Sequence, residues 1–397
     1  MKRILLAGAA LLTASLMPVT GQAQGTIKIG VILPYSGQFA DGAKQVDEGI
    51  KLYMQQHGDT VAGKKIEIIR KDVGGIAPPV AKRLAEELVV RDKVDILAGW
   101  LLTPNAIAGC GVSAQAKKVS VIMNAATSII VDKSPYCTRA AFTLPMVGST
   151  LGNWAAKNGI KKAYTMTSDY APGHDAEQAF IKGFEAGGGT IVGSVRMAVA
   201  NPDFSAYVQR AKDLNPEAIF VFIPGGAQPA AFGKALAERG IDTKKVKVMG
   251  TQELTDDSAL KNMGDTALGI ITGSPYDHNL KSKRNQEFVA AYRKAFKDNP
   301  NFFSAGGYDG MTLIYDGLKK TKGNADADKL IAAMKGTHWN SPRGPMMIDP
   351  ATRDAVENIY IQRVEKVGGK LVNVEIDKVP DVHDPVHEAM MKKMKKK

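Results

Sequence analysis

Ile27-Lys28-Ile29-Gly30-Val31-Ile32-Leu33 is a short run rich in β-branched residues, and a helical period over residues 42–56 follows it. Residues 65–69 and 80–90 repeat the pair. Residues 94–99, a helix after Pro104 and residues 119–123 continue it. Apolar runs of this length between helices predict strands of a parallel sheet covered on both faces. The rhythm restarts with strands at 162–166, 190–195, 218–223 and 246–249, and with helices from Asp175, Asp203, Gln228 and Asp256. Two successive sets of βα units predict an α/β protein of two doubly wound, parallel-sheet lobes. Past Ile270 the pattern turns helical, at 285–296, 304–319 and 328–334, before a hairpin of 358–364 with 370–375.

Ahead of the first strand, Lys2 and Arg3 precede an apolar run over residues 4–17, and Gly21-Gln22-Ala23 supplies small residues around a cleavage point. This order predicts a cleavable signal peptide at 1–23, too short to span a bilayer. No cysteine precedes Cys110 and no later stretch holds 18 uninterrupted apolar residues, so neither a lipid anchor nor a membrane span is expected. The expected address is the periplasm. Removing 23 of the 397 residues leaves 374, enough for two domains. The formal charge of +12 includes Lys2, Arg3 and the five lysines of residues 391–397, leaving +5 over residues 24–390. A charge of that size spread over two domains is unremarkable, and export argues against a nucleic-acid partner. The Lys-rich tail, 383–397, reads as a solvated, unstructured end, with attraction to an anionic surface as the sharper alternative. Cys110 and Cys137 are the only cysteines, and in an oxidising compartment they predict one structural disulfide between a helix and the loop after the next strand.

Open α/β sheets bind ligands beyond the carboxyl ends of their strands. Those ends carry hydroxyls, amides and aromatics, with no Gly-x-Ser-x-Gly, His-Glu-x-x-His or Cys-x-x-Cys. The six histidines are scattered, so no catalytic residue, metal site or cofactor is expected. Gly187-Gly188-Gly189 follows a helix and reads as its cap, whereas Gly225-Gly226 follows a strand and reads either as a plain turn or as backbone N–H groups offered to an anion. Thr103 reads as the N-cap of a helix whose first residue is Pro104, a place suited to a carboxylate. Asn124-Ala125-Ala126-Thr127-Ser128 repeats the design one βα unit later, so the two would converge on one small anion.

Taken in order, several segments carry a family likeness: Ser36-Gly37, Arg91-Asp92-Lys93-Val94-Asp95, Asn124-Ala125-Ala126-Thr127, Asp203-Phe204-Ser205 and Phe220-Val221-Phe222-Ile223-Pro224-Gly225-Gly226. Ala305-Gly306-Gly307-Tyr308-Asp309-Gly310 and Ser341-Pro342-Arg343-Gly344-Pro345 complete the set. The chain resembles the type I periplasmic substrate-binding proteins that serve ABC importers of the branched-chain amino acid class. The resemblance implies three crossovers, near Leu144, Gly273 and Met346, forming a three-segment hinge. Lobe 1 is then 24–143 plus 274–345, and lobe 2 is 144–273 plus 346–382. It places carboxylate-binding hydroxyls on Thr103 and Thr127, backbone partners on Ala125 and Ala126, and a second-lobe aromatic on Tyr170. Amino-acid-binding members neutralise the ammonium with an acid from the region that here reads Gly250-Thr251-Gln252-Glu253; whether Gln252 or Glu253 faces the cleft stays open.

The likeness runs nearest to a subgroup for benzoate-type aromatic acids, with Phe39, Trp100, Tyr170 and Tyr276 as apolar walls. The expected role is that of a monomer that captures a small carboxylate and delivers it to an ABC permease in the inner membrane. The alternatives are a branched-chain or other aliphatic amino acid as ligand, a sensory module presenting its ligand to a receptor, and a secreted α/β enzyme.

Overall fold

The computed structural model describes residues 25–394; the expected signal peptide, residues 1–23, lies outside them. Two sheets organise the chain. The first comprises β1 (Thr26–Leu33), β2 (Thr60–Val61), β3 (Lys64–Asp72), β4 (Ile96–Gly99), β5 (Val119–Ile122) and β6 (Cys137–Arg139). Between them run α1 (Ala40–His57), α2 (Pro78–Val90) and α3 (Thr103–Ala116). After α4 (Leu144–Lys157) the second sheet gathers β7 (Lys162–Ser168), β8 (Thr190–Met197), β9 (Ala218–Phe222), β10 (Lys247–Thr251) and β11 (Ile271–Ser274). Its helices are α5 (Ala171–Ala186), α6 (Phe204–Asp213), α7 (Gln228–Glu238) and α8 (Asp257–Met263).

Parallel pairing runs β3-β1-β4-β5-β6 in the first sheet and β8-β7-β9-β10-β11 in the second. Counted by unit, both orders read 2-1-3-4-5, so the lobes share one doubly wound topology with a switch point beside each first strand. The central strands β4, β5 and β9 are buried at every residue, which is why they read as continuous apolar runs rather than alternating ones.

The chain then returns to the first lobe as α9 (Lys283–Phe296), α10 (Phe302–Lys320) and α11 (Ala327–Met334). Asn301 and Ser304 cap α10 reciprocally. Helix α10 lies against α1 at backbone contact: a Cβ on Gly307 would stand 2.1 Å from the Val46 carbonyl oxygen, and one on Gly49 2.1 Å from that of Ser304. The third passage is the hairpin of β12 (His338–Ser341) and β13 (Gly344–Ile348), which pairs onto β14 (Ala355–Val367). β14 joins the second sheet antiparallel to β11 and carries β15 (Lys370–Val382).

Cys110 on α3 is bonded to Cys137, with Cα atoms 6.1 Å apart. Cys137 sits on β6 rather than in a loop, because residues 137–139 pair with β5. The tail also differs from expectation. Pro385–Met394 form a helix, α12. Asp384 accepts from the backbone N–H groups of Val386 and His387 (2.8 and 3.1 Å) and from Ser128 Oγ (2.5 Å). His387 is buried with Nδ1 2.6 Å from Asp354 and Nε2 3.1 Å from Asp132. These anchors, invisible to composition, order a segment that its lysines alone would leave in solvent. Asp354, Asp384 and His387 bring ligand-type atoms within 4.8 Å of one another, but both ring nitrogens already face carboxylates.

Burial alone would lower the His387 value; Asp132 and Asp354 outweigh it and raise the imidazole to about 10. Because the folded value exceeds the ordinary 6.5, this contribution to stability is complete below pH 6.5 and is lost as the pH rises through 10. The melting temperature is expected to fall across that window, and His387→Gln to flatten the fall. Parallel melting curves for the two proteins would reject the ion-paired state.

Candidate ligand-binding site

The carboxyl ends of β1 and β4 in one lobe and of β7 and β9 in the other flank the two switch points. Their loops enclose a cavity of about 290 Å³. From the first lobe come Gln38, Phe39, Leu101, Leu102, Thr103, Ala126 and Phe303; from the second come Tyr170, Phe222, Pro224, Gly225, Gly226 and Glu253. Gly225 and Gly226 hold φ of 81° and 69°, a left-handed backbone that suits glycine. A Cβ on Gly226 would stand 3.3 Å from the Gln38 carbonyl oxygen, so the lobes approach closely at this point.

Thr103 is the first residue of α3, with Leu102 as N-cap and Pro104 behind it, one position later in the helix than its sequence implies. Its Oγ1 lies 3.0 Å from Thr127 Oγ1, and both residues are buried. The first-turn N–H groups of a helix lack intrahelical acceptors, so α3 presents donors and a positive dipole end beside this hydroxyl pair. The loop behind it is held by Arg139, fully buried, which donates to the carbonyl oxygens of Ala125 (3.1 Å), Thr127 (2.9 Å) and Ser128 (3.2 Å) and pairs with Asp354 at 2.9 Å. Ala125 also donates its N–H to the Trp100 carbonyl at 2.9 Å. Its polar groups are thus taken up in supporting the loop, and Ala126 lines the cavity in its place.

Trp100 stands elsewhere than expected. It follows β4 in a left-handed conformation, φ 64°, which sends its ring into the core between α2, α3 and the sheet. There Nε1 donates to Ser120 Oγ at 2.8 Å, and α3 passes so close that a Cβ on Gly109 would stand 2.1 Å from the ring. Trp100 therefore supports the loop that carries Thr103 and forms no wall of the cavity. Tyr276 is likewise displaced: its hydroxyl donates to Asn285 Oδ1 at 2.8 Å, and its ring meets Phe288 edge-on. It borders a smaller neighbouring space together with Gln252. The open choice at 252–253 thus resolves geometrically, with Glu253 on the main cavity and Gln252 on its neighbour.

Burial raises the Glu253 carboxyl to about 7. Its Oε2 is buried with no partner among the described residues, while Oε1 accepts from Gln252 Nε2 at 3.4 Å. Burial first, and the Glu253 charge second, push the Tyr170 phenol well above its usual range. Tyr170 leans on Phe222, ring centroids 6.1 Å apart. Phe222 and Phe303, unforeseen from sequence, complete an aromatic wall with Phe39 and Tyr170. Phe222 closes strand β9 and was findable by the strand-end rule. Phe303 stands at the start of α10 and has no such signal.

A family model described as periplasmic binding protein matches residues 26–370. The chain belongs to that family. As in other periplasmic binding proteins of type I, two similar α/β lobes are joined by three passages of chain with the cavity between them. A Brucella melitensis protein named Leu/Ile/Val-binding protein homolog 6 is 40% identical over 363 residues, spanning 90% of this chain and 93% of that one. An ABC-transporter solute-binding protein from Rhodopseudomonas palustris, solved in complex with 3,4-dihydroxybenzoic acid, is 52% identical, with a TM-score of 0.87 over 91% of this chain and 99% of its own. A second from R. palustris, solved with 4-hydroxybenzoate, is 39% identical, with a TM-score of 0.88 and the same coverage. The two R. palustris relatives are solute-binding proteins of ABC transporters.

Proposed function

We propose that the chain is an exported, monomeric, non-enzymatic binding protein that captures a hydroxylated benzoate between its lobes and delivers it to an inner-membrane ABC permease. One arrangement carries the reading: a hydroxyl pair at a helix N-terminus in the first lobe, a buried carboxylate in the second whose Oε2 has no partner among the described residues, and aromatic rings between. A carboxylate on the ring would accept from Thr103, Thr127 and the first turn of α3, and a ring hydroxyl would donate to Glu253. Phe39, Tyr170, Phe222 and Phe303 give the ring apolar, offset-stacking neighbours. Ligands of the two R. palustris relatives have this chemistry. Affinity near micromolar, roughly 8 kcal/mol, suits capture followed by release, with ligand favouring the closed arrangement of the lobes.

A second reading rests on the same Glu253: its carboxylate would also neutralise the ammonium of a branched-chain or other aliphatic amino acid, in keeping with the name of the Brucella relative. Calorimetry with 3,4-dihydroxybenzoate and 4-hydroxybenzoate against leucine, isoleucine and valine separates them, and heat from the amino acids alone would overturn the first. Thr103→Ala and Thr127→Ala are each expected to weaken aromatic-acid binding by about 1–3 kcal/mol through lost charge-assisted hydrogen bonds. Unchanged affinity in both would remove the carboxylate from this end of the cavity.

A further inference from the structure

Helix α12 docks through one side only. His387 is buried against Asp132 and Asp354, whereas Val386, Met390 and Met394 are 37, 49 and 71% exposed. Spaced four apart, these three residues form one apolar stripe along the helix. Ile129, on the turn against which α12 is anchored, is exposed as well. Lys392 and Lys393 are exposed in the last turn, and Lys395, Lys396 and Lys397 follow in sequence; Glu388 is the one acidic side chain from 385 to 397.

We infer that α12, with Lys392 and Lys393 in its last turn, forms a docking surface for anionic phospholipid. An apolar stripe flanked by lysines is the pattern of a helix that lies in the plane of a membrane interface, its apolar side among the acyl chains and its ammonium groups at the phosphates. Five lysines within seven residues are a polybasic cluster of the size that an anionic leaflet attracts. Charge complementarity thus names the occupant, and the exposed methionines supply the apolar contact that charge alone lacks. Asp384 and His387 tie the helix to the loop of Ser128 and to Asp354, so the site is held rigidly on the body of the protein. Reversible attachment would confine the loaded protein to the membrane surface, where a permease is found by lateral search.

The test uses protein recovered from a periplasmic extract and sedimented with phosphatidylglycerol–phosphatidylcholine vesicles, with pure phosphatidylcholine vesicles alongside. Binding to the anionic vesicles is expected, weakening as salt is raised. Deleting residues 391–397 is expected to lower the bound fraction more than about tenfold. Met390→Ser with Met394→Ser is expected to lower it at unchanged charge. Calorimetry on the same samples shows whether the variants still bind the small ligand, so the cleft reading stands or falls separately. Equal sedimentation of the parent and the truncated protein would overturn the inference. So would indifference to the anionic lipid, or attachment only where the permease is present.

Discussion

4-Hydroxybenzoate is expected to bind at least about a hundredfold more tightly than benzoate, close to 3 kcal/mol, and Glu253→Leu is expected to abolish the difference. The reason lies in what each ligand leaves behind. Closing the lobes over benzoate buries Glu253 Oε2 as it stands, without a partner. A buried charged acceptor without a donor carries its full desolvation penalty, whereas a ring hydroxyl supplies the missing hydrogen bond. Replacing Glu253 by leucine inverts the balance: benzoate then meets an apolar wall, and the hydroxyl of 4-hydroxybenzoate becomes the unpaired group. The measurement is a four-way calorimetric cycle of two ligands and two proteins, whose coupling isolates the hydroxyl–carboxylate pair.

The pH dependence has a fixed sign. Because burial holds Glu253 near 7 in the free protein, protonation competes with donation from the ligand. Affinity for 4-hydroxybenzoate should therefore fall as the pH drops below 7, by up to about tenfold per unit. A hundredfold preference that survived in Glu253→Leu, or an affinity flat from neutral to acid pH, would place the hydroxyl elsewhere. Leucine would also bind more weakly to Glu253→Leu, but the wild-type cycle with benzoate has no counterpart for an amino acid, so the two readings part at the ligand panel.

Periodicity was sufficient for the lobes because parallel strands buried on both faces leave unbroken apolar runs, and β4, β5 and β9 are of that kind. The strand-end rule then led to Phe39, Thr103, Ala126, Tyr170, Gly225 and Glu253, all on the cavity. It failed where direction mattered more than position. Trp100 stands at a strand end, yet its left-handed backbone turns the ring away, a property that no residue type but glycine signals in sequence. Tyr276 follows β11 just where the chain leaves for the first lobe, so its neighbours are Asn285 and Phe288 rather than the cleft. The docking of α12 depends on His387 meeting Asp132 and Asp354, partners 255 and 33 residues away, and local composition holds no trace of that.

Arg343→Met is expected to destabilise the protein by about 3–5 kcal/mol, the range for removing one partner from a buried ion pair. Arg343 lies in the turn between β12 and β13 and is 1% exposed. Its Nε donates to Asp309 on α10 at 2.9 Å, and Nη1 meets Glu357 on β14 at 2.7 Å. Its Nη2 donates to the Ala140 carbonyl at 2.6 Å. One guanidinium thus ties the first passage between lobes to the third, to helix α10 of the first lobe and to β14 of the second sheet. Burial raises Glu357 to about 7 even with Arg343 lowering it, so the cation is what keeps this carboxylate partly charged in the interior. Without it, Asp309 and Glu357 face each other uncompensated. The deficit of Arg343→Met should therefore shrink as the pH falls and Glu357 takes up a proton. Adding Asp309→Asn and Glu357→Gln should restore most of the loss at neutral pH, because a buried network neutralised as a whole is far less costly than one broken on one side. Urea unfolding of the single and triple variants measures both effects. A loss below about 1 kcal/mol for Arg343→Met, no greater than that of an exposed ion pair, would mean that water reaches this junction.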